Sequence, residues 1–113
     1  MTEDEARRIL DALQSAIDAR DLDAVAALFH EDAVLIGTSG NARDRAAVLA
    51  YLTAVVEGPP VRWEYSDIVP FHDDGFAAFG EVVSGEFRAP FRLTLVARDG
   101  RISSFHGSIP FAG

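Results

Sequence analysis

The sequence of 113 residues contains no cysteine, which excludes disulfide bonds, thiolate nucleophiles and cysteine-ligated zinc. Basic side chains are also scarce, because 10 Lys and Arg stand against 18 Asp and Glu and give a net charge of -8. A negative field of this kind repels phosphate backbones and anionic membrane surfaces, so we expect no nucleic-acid partner. No apolar run approaches the roughly 20 residues of a membrane span, and we expect no membrane association.

The N-terminus lacks the basic segment that opens a secretory signal peptide, since Glu3, Asp4 and Glu5 stand there. We therefore expect a soluble, cytoplasmic protein. Hydrophobic residues make up 49% of the chain, which is enough for a core without a metal or disulfide staple. The length is typical of one domain, and we expect residues 1–113 to form it.

The first half of the chain has mainly helical periodicity. Thr2 and Glu5 form a capping box ahead of a first helix, and Asp21 can cap a shorter second helix that includes Phe29. Residues 33–38 form an aliphatic run typical of a strand. Helical spacing then returns and is stopped by a Gly-Pro-Pro segment, which predicts a third helix.

The second half of the chain has the pattern of an antiparallel meander, with strands at 61–71, 76–84, 87–98 and 101–109. Asp99-Gly100 lies between the last two strands and is a strong hairpin signal, because a type I′ turn needs positive φ at both central residues. The sequence thus predicts an α+β fold.

The segment that joins the second helix to the first strand carries a family pattern. Residues 21–34, DLDAVAALFHEDAV, resemble the D-x-x-x-x-x-x-LF-x-x-DAV signature of NTF2-like proteins, and the element order matches across nearly the whole chain. The resemblance, to SnoaL-like and ketosteroid isomerase-like domains, implies a cone in which a curved, mostly antiparallel sheet wraps around three N-terminal helices and an apolar cavity. Such domains include isomerases, cyclases, dehydratases and purely binding proteins, so the fold does not choose the function.

The resemblance to ketosteroid isomerases allows each catalytic role to be sought. The general-base aspartate falls at Gly37, and the tyrosine and neutral aspartic acid of the oxyanion hole fall at Leu13 and Thr94, so all three groups are missing. No zinc or calcium spacing and no glycine-rich phosphate loop is present, and we expect no metal and no cofactor. The turn at 72–74, with one histidine and two aspartates, is interpreted as a solvated loop.

The faces of the last strands determine which polar groups we expect in the cavity. A two-residue turn at Asp99-Gly100 pairs Thr94 with Phe105 and puts Arg92 on their face, which the resemblance turns inward. Extending the pairing through the preceding hairpin makes Glu81 a diagonal neighbour of Arg92. The catalytic candidates are therefore Glu81 as general acid or base and Arg92 as an oxyanion contact, with a partly solvated structural ion pair as the alternative.

The ligand expected for such a cone is a small hydrophobic molecule. Trp63, Tyr65 and Asp67 alternate onto one strand face and can present two aromatic walls with an acid at the mouth, although aromatic side chains on a half-buried strand are usually core. The predicted binding residues are Leu13, Phe29, Trp63, Tyr65, Asp67, Phe79, Thr94 and Phe105.

The same alternation turns Phe91, Leu93, Leu95 and His106 to the convex face, and an apolar convex face favours a homodimer through that face.

Two functions stay open. The first is a hydrophobic-molecule-binding protein, which as an enzyme would perform cofactor-independent isomerisation, cyclisation or dehydration next to a carbonyl. The second is a non-catalytic dimerisation or interaction module whose cavity is filled by its own side chains.

Overall fold

The computed structural model describes residues 1–37, 40–71 and 74–108. The helices are α1 (Glu3–Asp18), α2 (Leu22–Ala27) and α3 (Arg45–Glu57), and the strands are β1 (Phe29–Gly37), β2 (Gly40–Arg43), β3 (Arg62–Phe71), β4 (Gly75–Ser84), β5 (Phe87–Arg98) and β6 (Arg101–Ser108). The strands form one curved, unclosed sheet in the order β2-β1-β6-β5-β4-β3. All neighbours pair antiparallel except β1 and β6, which are parallel. The predicted α+β class is confirmed.

Side-chain caps define where the helices begin. Thr2 and Glu5 form the predicted capping box at α1. Asp21 caps α2 and Asp44 caps α3, each by accepting a hydrogen bond from a backbone N–H of the first turn. The reversal between β5 and β6 is also as predicted, since Asp99 and Gly100 have φ of 55° and 77°.

The chain changes from helix to strand earlier than the sequence predicted. Phe29 begins β1 instead of ending α2, because its side chain is needed in the core, where it is 1% exposed. The backbone N–H of Ile102 donates to the carbonyl of Leu28 at 2.7 Å and leads into the parallel pairing of β1 with β6. The short strand β2 pairs with β1 through Ala42 opposite Leu35.

The three helices pack on one face of the sheet, and the core lies between them. Its largest fully buried side chains are Phe29, Phe76, Leu10, Leu95 and Ile102. Within the described part of the chain no polar or charged residue is buried. No helix among these residues combines the length and hydropathy of a membrane span.

A β-bulge in β6 shifts the register of the last hairpin. Ala97 lies opposite Ile102, but the next residue back along β5, Val96, lies opposite Ser104. Ser103 is therefore an extra residue, and its hydroxyl donates to the carbonyl of Val96 at 3.1 Å. One extra residue changes the side chains that face each other across every following pair.

The inward orientation predicted for Arg92 and Thr94 is therefore wrong. Thr94 lies opposite His106, and both are exposed on the side of the sheet away from the helices, which we call the convex face. Leu95 takes the place opposite Phe105 on the inward face. The orientation predicted for Phe105 is correct. The error lies in β5, because the prediction transferred the face of Phe105 to Arg92 and Thr94 without the extra residue in β6.

A second β-bulge separates Asp67 from the aromatic residues before it. Tyr65 lies opposite Gly80, but the next pair joins Asp67 to Phe79, so Ser66 is the extra residue in β3. The expectation that Asp67 shares a face with Trp63 and Tyr65 is thus wrong. Asp67 is exposed on the convex face beside Phe79.

Candidate functional site

A cavity of about 360 Å3 lies between the helices and the inward face of the sheet. This volume falls within the range of small-molecule sites, roughly 300–1,000 Å3. Its walls contain six aromatic residues, eight aliphatic residues, two glycines and one serine: Phe29, Tyr51, Trp63, Phe87, Phe91, Phe105; Leu13, Ile17, Leu35, Leu52, Val55, Val61, Val82, Leu93; Gly37, Gly107; Ser84. The site is therefore overwhelmingly apolar.

Strand alternation produces this lining. On β5 the side chains of Phe87, Phe91 and Leu93 contribute to the cavity, while the intervening Arg88 and Arg92 are exposed on the convex face. Alternation also decides which β4 side chains face the cavity, whereas bulges interrupt it in β3 and β6. The sheet side of the cavity is thus set by period-two patterning together with these bulges.

Gln14 on α1 holds the beginning of β3 beside the cavity. Its amide nitrogen donates to the carbonyl of Val61 at 2.9 Å, and its amide oxygen accepts from the backbone N–H of Trp63 at 3.0 Å. The same nitrogen also donates to Asp18 at 2.9 Å. Because Val61 and Trp63 line the cavity, Gln14 positions one of its walls.

Two side-chain hydroxyls are present in the lining. Ser84 donates to the carbonyl of Pro60 at 2.9 Å, which ties the end of β4 to the segment before β3. The hydroxyl of Tyr51 lies against β1 at Gly37, where a Cβ atom would overlap it. Gly37 is therefore required for this approach of α3 to the strand. Apart from these two hydroxyls, the described lining residues carry no acidic, basic or imidazole side chain.

Phe87 marks the opening of the cavity. It lines the cavity and is nevertheless 54% exposed, more than the other large hydrophobic residues of the described chain that stand out as exposed, Ile36, Val69 and Phe79. A lining side chain with half of its surface in solvent lies at the rim. Phe87 is thus the most exposed aromatic residue of the described lining.

Four of the eight predicted binding residues line the cavity, namely Leu13, Phe29, Trp63 and Phe105. Tyr65 faces inward but packs edge-on against Phe91, with ring centroids 5.6 Å apart, and is not part of the lining. Burial, with a smaller effect of the nearby Asp11 carboxylate, holds the pKa of Tyr65 well above its ordinary value. Tyr65 therefore stays a neutral core residue.

The remaining predicted binding residues, Asp67, Phe79 and Thr94, are exposed on the convex face. Phe79 is 40% exposed there. Of the positions that the resemblance matched to catalytic groups, Leu13 and Gly37 line the cavity, whereas Thr94 does not. The bulges account for the displacement of Asp67 and Thr94.

The proposed catalytic pair is not brought together. Glu81 is half-exposed on the convex face and binds Arg88 at 2.9 Å, and Arg88 in turn binds Glu64 at 2.9 Å. Glu64 also binds Arg62 at 2.7 Å. Hydrogen bonds from Arg88 and Arg62 lower the pKa of Glu64, and those to Glu64 and Glu81 raise the pKa of Arg88. Glu81 thus belongs to a solvated structural network that does not include Arg92.

The side chains that suggested a convex-face dimer lie elsewhere. Phe91, Leu93 and Leu95 are buried on the inward face, against the helices and cavity. His106 does lie exposed on the convex face, as predicted from its strand parity. The homodimer stays a prediction, and Phe79 is an exposed aromatic residue on this face.

The sequence analysis missed the other 13 of the 17 lining residues, among them Tyr51, Ser84 and Phe87. Apolar residues occupy every second position of β5 from Phe87 to Ala97, and this pattern by itself predicts the inward face of β5. Tyr51 belongs to the apolar residues of α3 that recur at helical spacing, which predicts a core position but not a cavity. Ser84 carries no signal.

In residues 1–37, 40–71 and 74–108, no three His, Asp or Glu side chains cluster in a way that could bind a metal ion. His72 and Asp73, which were interpreted as part of a solvated turn, lie outside the described residues.

Comparisons with known proteins agree with this architecture. A candidate polyketide cyclase from Sinorhizobium meliloti has a TM-score of 0.75 at 19% identity, over 88% of this chain and 93% of that one. A candidate ketosteroid isomerase from Kribbella flavida has a TM-score of 0.75 at 20% identity, over 97% and 81%. An NTF2-like protein of unknown function from Mesorhizobium loti has a TM-score of 0.75 at 16% identity, over 94% and 91%.

These identities show a common fold and nothing finer. The comparison with curated proteins found no match. The family model described as the SnoaL-like domain matches residues 6–105. Because this match spans most of the sequence, the chain belongs to the SnoaL-like family, within the NTF2-like fold.

Proposed function

We propose that this protein binds a small, compact hydrophobic molecule in the cavity. The observation that carries the proposal is the composition of the walls, in which 14 of the 17 lining residues are aromatic or aliphatic around a volume of about 360 Å3. Apolar surface removed from water contributes about 25 cal/mol per Å2, which favours transfer of a ring system into such walls. A cavity already formed in the free protein lowers the ordering cost of binding.

The similar structures support a hydrophobic ligand. Two of them are named for enzymes of polyketides and ketosteroids, whose carbon skeletons suit apolar walls. Proton transfer by Glu81 and Arg92 gains no support, because both side chains are exposed on the convex face. The alternative of a module with a filled cavity fits less well with the volume between Phe91, Leu93 and the helices.

The rim residue Phe87 supplies the test. We expect Phe87→Ala to weaken binding of the neutral fluorescent probe N-phenyl-1-naphthylamine by about tenfold, which corresponds to about 1.4 kcal/mol of lost apolar contact. Phe79→Ala is the matched control, because it removes a similarly exposed phenylalanine from the other face of the sheet. A fluorescence titration measures both affinities.

The control is expected to bind the probe as tightly as the unaltered protein, and circular dichroism verifies that both variants stay folded. Equal losses in the two variants, or no loss in Phe87→Ala, would place the probe outside the cavity and contradict the proposal.

A further inference from the structure

We infer that the cavity selects electrically neutral molecules, so that a ligand with an acidic hydroxyl or carboxyl group enters in its protonated form. This inference rests on the proposed function and specifies the chemistry of the ligand. It follows from the placement of charge, because the described lining residues are uncharged and the arginines next to them in the sequence are exposed.

The lining itself carries no charge. The described lining residues come from α1, α3, β1, β3, β4, β5 and β6 and from Val61 just before β3, and Tyr51 is the one residue among them with an ionisable side chain. No polar or charged residue is buried anywhere in the described part of the chain. An anion inside the cavity would therefore meet no opposite charge on the described lining residues.

The cations that are close along the sequence point away. Arg62, Arg88 and Arg92 each stand next to lining residues, and strand alternation exposes all three on the convex face. Arg62 and Arg88 are further held there by ion pairs with Glu64, and Arg88 by a second one with Glu81. A carboxylate in the cavity is thus separated by the sheet from the arginines of the lining strands, and on the helix side the guanidinium of Arg20 donates to the carbonyls of Val56 and Gly58.

The polar groups of the lining do not replace a cation. The hydroxyl of Ser84 already donates to the carbonyl of Pro60. A single hydrogen bond from the hydroxyl of Tyr51 would be worth about 1 kcal/mol net, whereas taking an unpaired ion out of water costs several kcal/mol. The net charge of -8 further lowers the local concentration of anions. Each effect favours the neutral form of an acidic ligand.

The test uses 4-nitro-1-naphthol, a two-ring phenol whose neutral and ionised forms absorb at different wavelengths. We expect the neutral form to bind at least about 100-fold more tightly than the anion, which raises the pKa of the saturated probe by at least about two units. Absorbance titrations across pH with and without excess protein measure this shift. The bound probe should lose its phenolate band at a pH where the free probe is ionised.

The methyl ether of the probe, 1-methoxy-4-nitronaphthalene, is the control because it cannot ionise. Its affinity is expected to stay constant over the same pH range, which separates ionisation of the ligand from any effect of pH on the protein. If the ether binds and the pKa of the bound phenol is unchanged or lowered, the selectivity is overturned while the proposed function stands. If neither compound binds at any pH, the proposed function fails and the selectivity with it.

Discussion

Replacing Phe76 by alanine is expected to lower the free energy of unfolding by about 3–5 kcal/mol, whereas Phe79→Ala should cost less than about 1 kcal/mol. Both residues lie on β4, three positions apart and therefore on opposite faces of the sheet. Phe76 is 0% exposed and Phe79 is 40% exposed. The first substitution leaves a cavity in the core, and the second removes a side chain that is already partly in water.

Urea denaturation followed by circular dichroism measures both changes under one condition. Phe76→Leu, which removes less volume, keeps the comparison available if the alanine variant does not fold. Similar losses at the two positions, or a larger loss at Phe79, would mean that β4 faces the other way and that the cavity walls are wrongly assigned.

Filling the cavity from α3 should abolish ligand binding. Val55 is a half-buried lining residue, and Val55→Trp extends an indole into the space that a ligand would occupy. We expect the affinity for N-phenyl-1-naphthylamine to fall by at least about 100-fold, because an occupied site can no longer bury the apolar surface of the probe. The free energy of unfolding should change by less than about 2 kcal/mol, since the new ring enters open volume.

Ala54→Trp is the control for this variant. Ala54 is exposed and adjacent on the same helix, so the same indole is added where it points to solvent. The control should bind the probe normally in the same fluorescence titration. Retained binding by Val55→Trp, in a variant shown to be folded, would exclude this cavity as the site.

Local signals in the sequence were sufficient to predict much of the fold. The capping box at Thr2 and Glu5 and the cap at Asp21 depend on contacts within one turn, and the turn at Asp99-Gly100 depends on two backbone conformations. Each of these was correct because no distant contact competes with it. The boundary at Phe29 was wrong because pairing with β6, more than 70 residues later, decides it.

The strand faces failed where the register crosses a bulge. Ile102 and Phe105 both point inward although they are three positions apart. Period-two alternation does not allow this odd spacing without an extra residue. Tyr65 and Ile68 show the same odd spacing in β3. Alternation is therefore reliable only within a stretch that is free of bulges, such as β5, where it places Arg92 outside, and it fails across the extra residue in β3 and in β6.

The cavity could not be predicted at the level of its shape. Whether side chains such as Leu13 and Phe105 meet or leave a gap depends on the distance of α1 and α3 from the curved sheet. The hydrogen bonds of Gln14 to the beginning of β3 and the close approach of Tyr51 to Gly37 help to set this distance. Those contacts join residues far apart in the chain and have no local signature.

Methyl-resolved NMR with 13C-labelled leucine and valine tests the central claim most directly. On addition of N-phenyl-1-naphthylamine, we expect chemical-shift changes and ligand contacts at the methyl groups of Leu35 and Leu93, which line the cavity. The methyl groups of Val69, exposed on another part of the sheet, should stay unchanged. Contacts at Val69 without changes at Leu35 and Leu93 would contradict the account, because the molecule would then be bound outside the cavity.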